Sequence, residues 1–431
     1  MKFIKNNFAS IYISLILVSI YSPDFNVYDK MASQTFYISV INTLALVFIP
    51  IIFKKFQLKT VIKNPLMLMF LGYVIFAFLS MIKAINVVES LVRISHILTF
   101  FFSLFIIVFI ASKKLLNINF VLSLIVLSLS VDIFFSLAAY FPFVLNDIPF
   151  QYKDNTILVG FYGNRNILAT ILAFKIPLVI IFAQRFKNNY LYLFSFFLIT
   201  IAFFNITLLS SRATYLAIIL SVLFVVSFEI FRYFKQQNRP FVVNKYFLFL
   251  YFIPLIIALS ISNNAIDQLD EGNVVNRIST ITSDNDSSKN TRLRYYSQSI
   301  DHIIKNPLLG GGIGNWKIIS IKYDSKNIKN YIIPYNAHND ILEATAETGI
   351  IGGLSFLSFF IIILYYLFKM LKKHLSEDKS IFVFLILTLP FVSYFIDLNL
   401  NFPSSRPSNQ VLLLLYIGII LTFKFENNAK E

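Results

Sequence analysis

The chain has 431 residues, 57% of them hydrophobic and 14% charged, with 49 Phe and 23 Tyr. A water-soluble domain of this size has no way to solvate so much apolar side chain, so the composition places the protein in a membrane. Having no cysteine excludes disulfides, thiol catalysis and Cys-ligated zinc, while a net charge of +15 raises the question of a nucleic-acid partner.

Twelve apolar runs predict membrane helices, at roughly 8–22, 34–53, 66–82, 94–111, 120–141, 166–183, 190–209, 214–231, 246–262, 349–369, 380–398 and 409–425. Runs of this length cross a hydrocarbon core of about 30 Å as helices, and they are too long for the alternating strands of a barrel. The expected fold is an all-α integral membrane protein of about twelve transmembrane helices. The first run follows Lys2 and Lys5 and leads into "SPDFN" without a small-residue cleavage site, so it reads as a retained helix. With the N-terminus placed in the cytoplasm, 20 basic residues fall on that side and seven in the short loops opposite, which predicts both termini inside. The basic excess is thus a topology signal and an attraction to anionic membrane lipids, with no nucleic-acid partner implied. Three divisions follow: helices 1–9 in residues 1–262, a large outer loop in 263–348 with short helices, and helices 10–12 in 349–431.

Along the chain, Asp132 and Lys175 fall inside predicted spans. Intramembrane ionisable groups mark function by default, and these two are suited either to pair with each other or to line a lipid-phosphate pocket. Arg212, in "LLSSRATYLA", occupies a tight outer turn between two long apolar runs. It either snorkels at the rim or forks onto an anionic oxygen cluster such as a pyrophosphate. The outer loop begins with an Asn-, Asp- and Ser-rich stretch, 263–290, that reads as mobile. "TRLRYYSQSIDHIIKNP" then turns helical, with Leu293, Tyr296, Ile300 and Ile303 or Ile304 on one face and His302 on the exposed side. "GGGIGNW" lacks the Lys-Ser or Lys-Thr of a phosphate loop and reads as a turn that lets backbone approach backbone. In "PYNAHNDILEATAETGIIGG", Asn336 or Asn339 caps a helix with Ile341, Leu342 and Thr345 on its buried stripe. His338, at the positive end of that helix, reads either as a surface loop histidine that merely hydrogen-bonds or as an imidazole held neutral and able to accept a proton. His96 and His374 read as ordinary, and Asp397 and Arg406 as rim contacts.

The combination of "TRLRYYSQSIDHIIKNPLLGGGIGNW" and "YNAHNDILEATAETGIIGG" resembles the O-antigen ligase and O-antigen polymerase superfamily. Its members show an Arg, fifteen residues later the Pro of a glycine-rich segment, and then an "AHNxxLExxxExG" segment leading into a membrane helix. Arg292 and Pro307 keep that spacing, and Gly310, Gly312, Gly314, Trp316, His338, Asn339, Leu342, Glu347 and Gly349 match in order. "SSRATYLA" is similar to the family's turn and carries Arg212. "GNRNILA" is similar to its "NxNxLA" segment, although Arg165 replaces the usual small residue or Pro, and Tyr296 stands where Trp is common. The likeness spans roughly residues 160 to 365.

The resemblance implies a polytopic, glycosyltransferase-C-like enzyme of the bacterial inner membrane. It implies an active site facing the periplasm, no nucleotide, no cofactor and no metal. Its donor would be an undecaprenyl-pyrophosphate-linked glycan and its acceptor lipid A-core or another hydroxyl, with inversion at the anomeric carbon. Arg212 and Arg292 are expected to meet the pyrophosphate. His338 is expected to act as general base, or alternatively to bind phosphate as imidazolium. Arg294, Asn339, Lys175 and Arg165 are candidate substrate-binding residues. A polymerase and a protein O-oligosaccharyltransferase share these motifs. A glycolipid flippase and a non-catalytic scaffold are readings of other classes.

Overall fold

The computed structural model describes residues 2–23, 30–54, 58–235, 244–266, 273–279, 287–328, 334–375 and 378–428. Lys55, Arg239 and Lys430, used above for orientation, lie outside the described residues, as does most of the 263–290 stretch expected to be mobile. The described residues are almost entirely helical, and eleven helices are long and apolar enough to cross a membrane. The twelfth one expected, Lys2–Val18, is 17 residues long. A 3-10 turn, Ser19–Tyr21, continues it, and at about 1.5–2 Å per residue the two together approach a full crossing.

The chain packs as two units. The first comprises Met1–Ile118, Ser287–Tyr366 and Leu398–Glu431, the second Asn119–Asp286 and Leu367–Asp397. In the first unit, the Pro407–Phe425 span packs along Val87–Ser112, which also meets Met31–Ile52 and Pro65–Lys83. Outward-facing Phe36, Leu44 and Val47 are more than half exposed, as suits a face turned to lipid. In the second unit, Arg165–Phe186 is buried along nearly its whole length and packs on Asn189–Leu209 and Arg212–Lys235.

The helix expected at 349–369 begins nine residues earlier and runs Asp340–Lys373, but Gly349 breaks it with φ 79°, ψ 175°. Carbonyls just before such a break lose their partners one turn on. The glycine-rich loop replaces them: Gly311 N–H donates to the Ala346 carbonyl (2.9 Å) and Gly312 N–H to Glu347 (3.0 Å), while Ile350 N–H donates to Pro307 (2.8 Å). A Cβ on Gly310 would sit 2.4 Å from the Ala346 carbonyl oxygen, and one on Gly349 would sit 2.2 Å from that of Leu308. "GGGIGNW" is therefore a backbone-on-backbone clasp. Ser90 Oγ donates to Ile313 O (2.6 Å) and Ile313 N–H to Ser80 Oγ (3.0 Å), docking the clasp on two neighbouring spans.

Two expectations for buried faces are corrected. On the loop helix Ser287–Lys305 the buried residues are Tyr295, Gln298, Ser299 and His302, while Leu293, Ile300 and Ile304 face outward. The polar face is buried because its groups find partners: Gln298 Nε2 donates to Asp324 Oδ1 (2.8 Å), and His302 Nδ1 lies 3.3 Å from the Tyr323 hydroxyl. His302 is thus a buried group, its pKa lowered by burial and then by Lys305 and Lys322. On the Asp340–Lys373 helix, Ile341, Leu342 and Thr345 are half-buried, and Asp340, Glu343, Ala344, Ala346 and Glu347 form the buried face.

Candidate active site

In the first unit the site is built around the residue before a helix cap. Asn339 caps the helix, its Oδ1 accepting from the N–H of Ile341 (3.1 Å) and Leu342 (3.0 Å). His338 therefore lies just outside the helix, in the left-handed region at φ 57°. A non-glycine residue holds that conformation only where its surroundings impose it. Here the Tyr296 hydroxyl lies 3.0 Å from the His338 carbonyl oxygen and 2.6 Å from that of Asn399, and Glu343 Oε2 accepts the Ala337 N–H at 2.7 Å.

The imidazole lies parallel to Tyr295 (centroids 6.3 Å, 19°) and meets Phe402 edge-on (5.3 Å, 70°). Its Nδ1 is buried and has no hydrogen-bond partner among the described residues. Burial first, and then the Arg292 charge, push the His338 pKa down to about 4, against a hydrogen bond to the Leu400 backbone that favours the charged form. Burial and Arg292 keep the ring neutral at pH 7, where the sequence pointed to the dipole of a helix that His338 in fact precedes. Arg292 Nη2 lies 3.5 Å from Asn401 Oδ1.

Two further candidates in this unit are already engaged. Arg294 Nε is 2.8 Å from Asp324 Oδ1, and that carboxylate is 3% exposed. Asn339 spends Oδ1 on the cap and offers Nδ2 to Asn399 Oδ1 (3.3 Å).

The second unit gathers three arginines. Arg165 and Arg212 each begin a long helix, Arg165–Phe186 and Arg212–Lys235. Asn164 caps the first (Asn166 N–H to Oδ1, 2.8 Å), and the Ser210–Ser211 turn, with Ser210 at φ 51°, delivers the second. Arg277, on the short helix Val274–Ser279, donates from Nε to the Ser210 carbonyl (3.3 Å). Tyr152 binds two of the three: Arg165 and Arg277 lie over its ring at 4.1 and 4.4 Å from the centroid, and each donates to its hydroxyl. Arg165 also donates to Asn155 Oδ1 (2.9 Å). Burial, with the charges of Arg212 and Arg165, pushes the Arg277 pKa below its ordinary value, while Tyr152 opposes this.

Lys175 is elsewhere in that unit and fully buried, 2.5 Å from Asp132 Oδ2 and 2.6 Å from Ser128 Oγ, while Tyr162 donates to Asp132 Oδ1 (2.8 Å). Of the two readings of the Lys175–Asp132 couple, the structure shows the ion pair. Asp397 is buried too, accepting from Thr170 (3.1 Å), and Arg406 lies over the Phe402 ring at 5.0 Å.

The sequence reading missed Arg277, Tyr152 and Glu343. Asn273 signals the first: its Oδ1 caps a short helix (Val275 N–H, 3.0 Å) that carries the arginine. The i, i+4 spacing of Glu343 and Glu347 in the first turns of a membrane helix signals the third.

Residues 196–357 match the family model described as O-antigen ligase, a stretch that contains Arg212, Arg292 and His338. No match was found among curated protein sequences. The clasp, the capped histidine and the Arg212 turn all lie inside the matched stretch, and eleven helices of the described residues are long and apolar enough to cross a membrane.

Proposed function

We propose that the protein transfers a glycan from undecaprenyl pyrophosphate to an acceptor hydroxyl, with lipid A-core as the acceptor. The proposal places it in the bacterial inner membrane with both termini cytoplasmic and its chemistry on the periplasmic face. The acceptor oxygen attacks the anomeric carbon and the carbon–oxygen bond to the pyrophosphate breaks. The undecaprenyl pyrophosphate leaves with the electron pair, and the acceptor's proton goes to His338. Attack opposite the leaving group inverts the anomeric centre.

The observation that carries this reading is the His338 ring, half-buried and uncharged, whose buried Nδ1 has no partner among the described residues. It favours a proton acceptor over an imidazolium phosphate ligand. A pKa of about 4 makes a weak base, and general bases work best near the operating pH. Because Arg292 contributes to that depression, an anion bound against Arg292 raises the pKa toward its working range. The leaving group's charge is assigned to Arg212 and Arg292; within the second unit, Arg212 and Arg165 stand in the field of Arg277. Arg165 and Arg212 add two helix N-termini, which favour anions.

The test supplies purified protein with lipid-linked glycan and lipid A-core, metal chelated throughout. Wild type is compared with His338→Ala and Arg212→Ala. Glycan on lipid A-core with wild type only, each variant falling by about a hundredfold or more, supports transfer and site together. Chain extension without transfer to the core makes the protein a polymerase. Equal behaviour of all three proteins rejects the catalytic assignment and favours a glycolipid transporter.

A further inference from the structure

A cavity of about 200 Å³ lies within the first unit, where the Val87–Ser112 and Asp340–Lys373 helices begin. Its lining carries Glu89, Glu343 and Glu347 against Arg93, Lys317 and Arg406. Acids and bases face each other across it, and among the described residues no group of His, Asp or Glu is placed to hold a metal ion.

Two of its acids are buried, and its hydrogen-bonding groups are only partly used. Glu343 is 6% exposed, and of its two oxygens only Oε2 has a partner among the described residues, the Ala337 N–H. Glu347, 3% exposed, accepts the Trp316 N–H at Oε1 (2.9 Å). Arg93 donates from Nη1 to Ser405 Oγ (3.0 Å) and, among the described residues, from no other nitrogen. Lys317 is held by Glu89 at 2.6 Å. A buried carboxylate oxygen and a guanidinium edge thus face the cavity with capacity to spare, and a ligand carrying both donors and acceptors satisfies them.

Two rings complete the lining: Phe402, whose edge-on neighbour is the His338 imidazole, and Tyr335, which is 65% exposed. Alternating hydroxyls with an apolar ring face are the chemistry of a sugar. The volume is below the roughly 300–1,000 Å³ of drug-sized pockets, and so suits a single ring. Both Phe402 and the Glu343–Ala337 bond tie this space to His338, the group assigned to the acceptor's proton.

We propose that this cavity is the subsite for the acceptor's terminal sugar, read by Glu343 and Arg93 and stacked on Tyr335. Its assignment to the acceptor rests on the transfer reading above. Binding of a neutral sugar does not.

The test uses the full chain in lipid nanodiscs, without donor, titrated with delipidated core oligosaccharide and with methyl hexosides by saturation-transfer NMR. The expected result is wild-type binding that weakens at least tenfold in both Tyr335→Ala and Glu343→Gln. Tyr335 is a rim ring, and glutamine keeps an acceptor for Ala337, so the thermal midpoint reports whether each variant is folded. Binding that is absent in wild type, or unchanged in both folded variants, overturns the proposal. So does displacement of the sugar by inorganic pyrophosphate or Ca²⁺ alone at lower concentration than by the oligosaccharide. Wild type that binds the oligosaccharide but transfers no glycan rejects the transfer reading and leaves the sugar site standing.

Discussion

The second unit treats its cations in two opposite ways. Lys175 is sealed in, its ammonium matched by Asp132 and Ser128 within 2.6 Å and Asp132 matched in turn by Tyr162. Arg165, Arg212 and Arg277 are instead brought into one another's field, with Tyr152 packed under two of them. A matched pair stabilises only what it touches, and its charge is used up. Like charges brought together repel, and an anion bound among them lowers that cost. Intramembrane position alone does not tell these cases apart; the partner does.

Breaking the matched pair carries the largest expected effect. Lys175→Met strands a buried carboxylate, at a cost of about 3–5 kcal/mol, read as a fall in thermal midpoint and yield. Replacing Asp132 by Leu in the same chain recovers most of it, since an apolar pair of similar volume is tolerated there. Next, Arg277→Ala lowers the transfer rate by about 10²–10³ while the thermal midpoint holds or rises. A midpoint that falls with the rate would make Arg277 structural, like Lys175. Inorganic pyrophosphate should inhibit wild type and protect it against heat. Arg165→Gln should weaken both effects by about tenfold, as expected for one charge-assisted contact.

The smallest effect is a displacement along the pH axis. Burial and Arg292 push the His338 pKa down to about 4, so donor-free His338 is expected to titrate by NMR near pH 4, below the usual 6.5 or so. The sign for stability follows from the same depression. Below about pH 6.5 the unfolded imidazole takes a proton that the folded one refuses, so this residue erodes stability as pH falls from about 6.5 to about 4, and no further below that. A titration near 6.5 would mean that His338 is not buried as described.

How much of this was legible depended on whether a signal was local. Apolar runs and a capping Asn are local: eleven of the expected spans are there, two of them starting several residues early, and of the two capping candidates Asn339 is the one used. The clasp was half legible: glycines announced a close approach, but only the fold shows that it meets the break at Gly349. The buried faces of Ser287–Lys305 and Asp340–Lys373 were misread for one reason. Near a membrane an apolar stripe faces lipid as readily as core, so periodicity finds the face without saying which way it turns. Arg277 was hidden because a polar stretch gives no sign that a distant tyrosine and serine carbonyl will receive one of its residues.

The clasp has a further consequence for how such a protein varies. The bonds from Pro307, Gly311 and Gly312 to Ile350, Ala346 and Glu347 cinch both ends of a roughly forty-residue loop at its neck. What lies beyond a cinched neck can lengthen at little entropic cost, about 0.6 kcal/mol for each doubling, without moving the membrane helix that leaves it. Residues inserted after Asn327, past Asp324 and its bonds to Gln298 and Arg294, should therefore leave the span beneath untouched, read as an unchanged thermal midpoint.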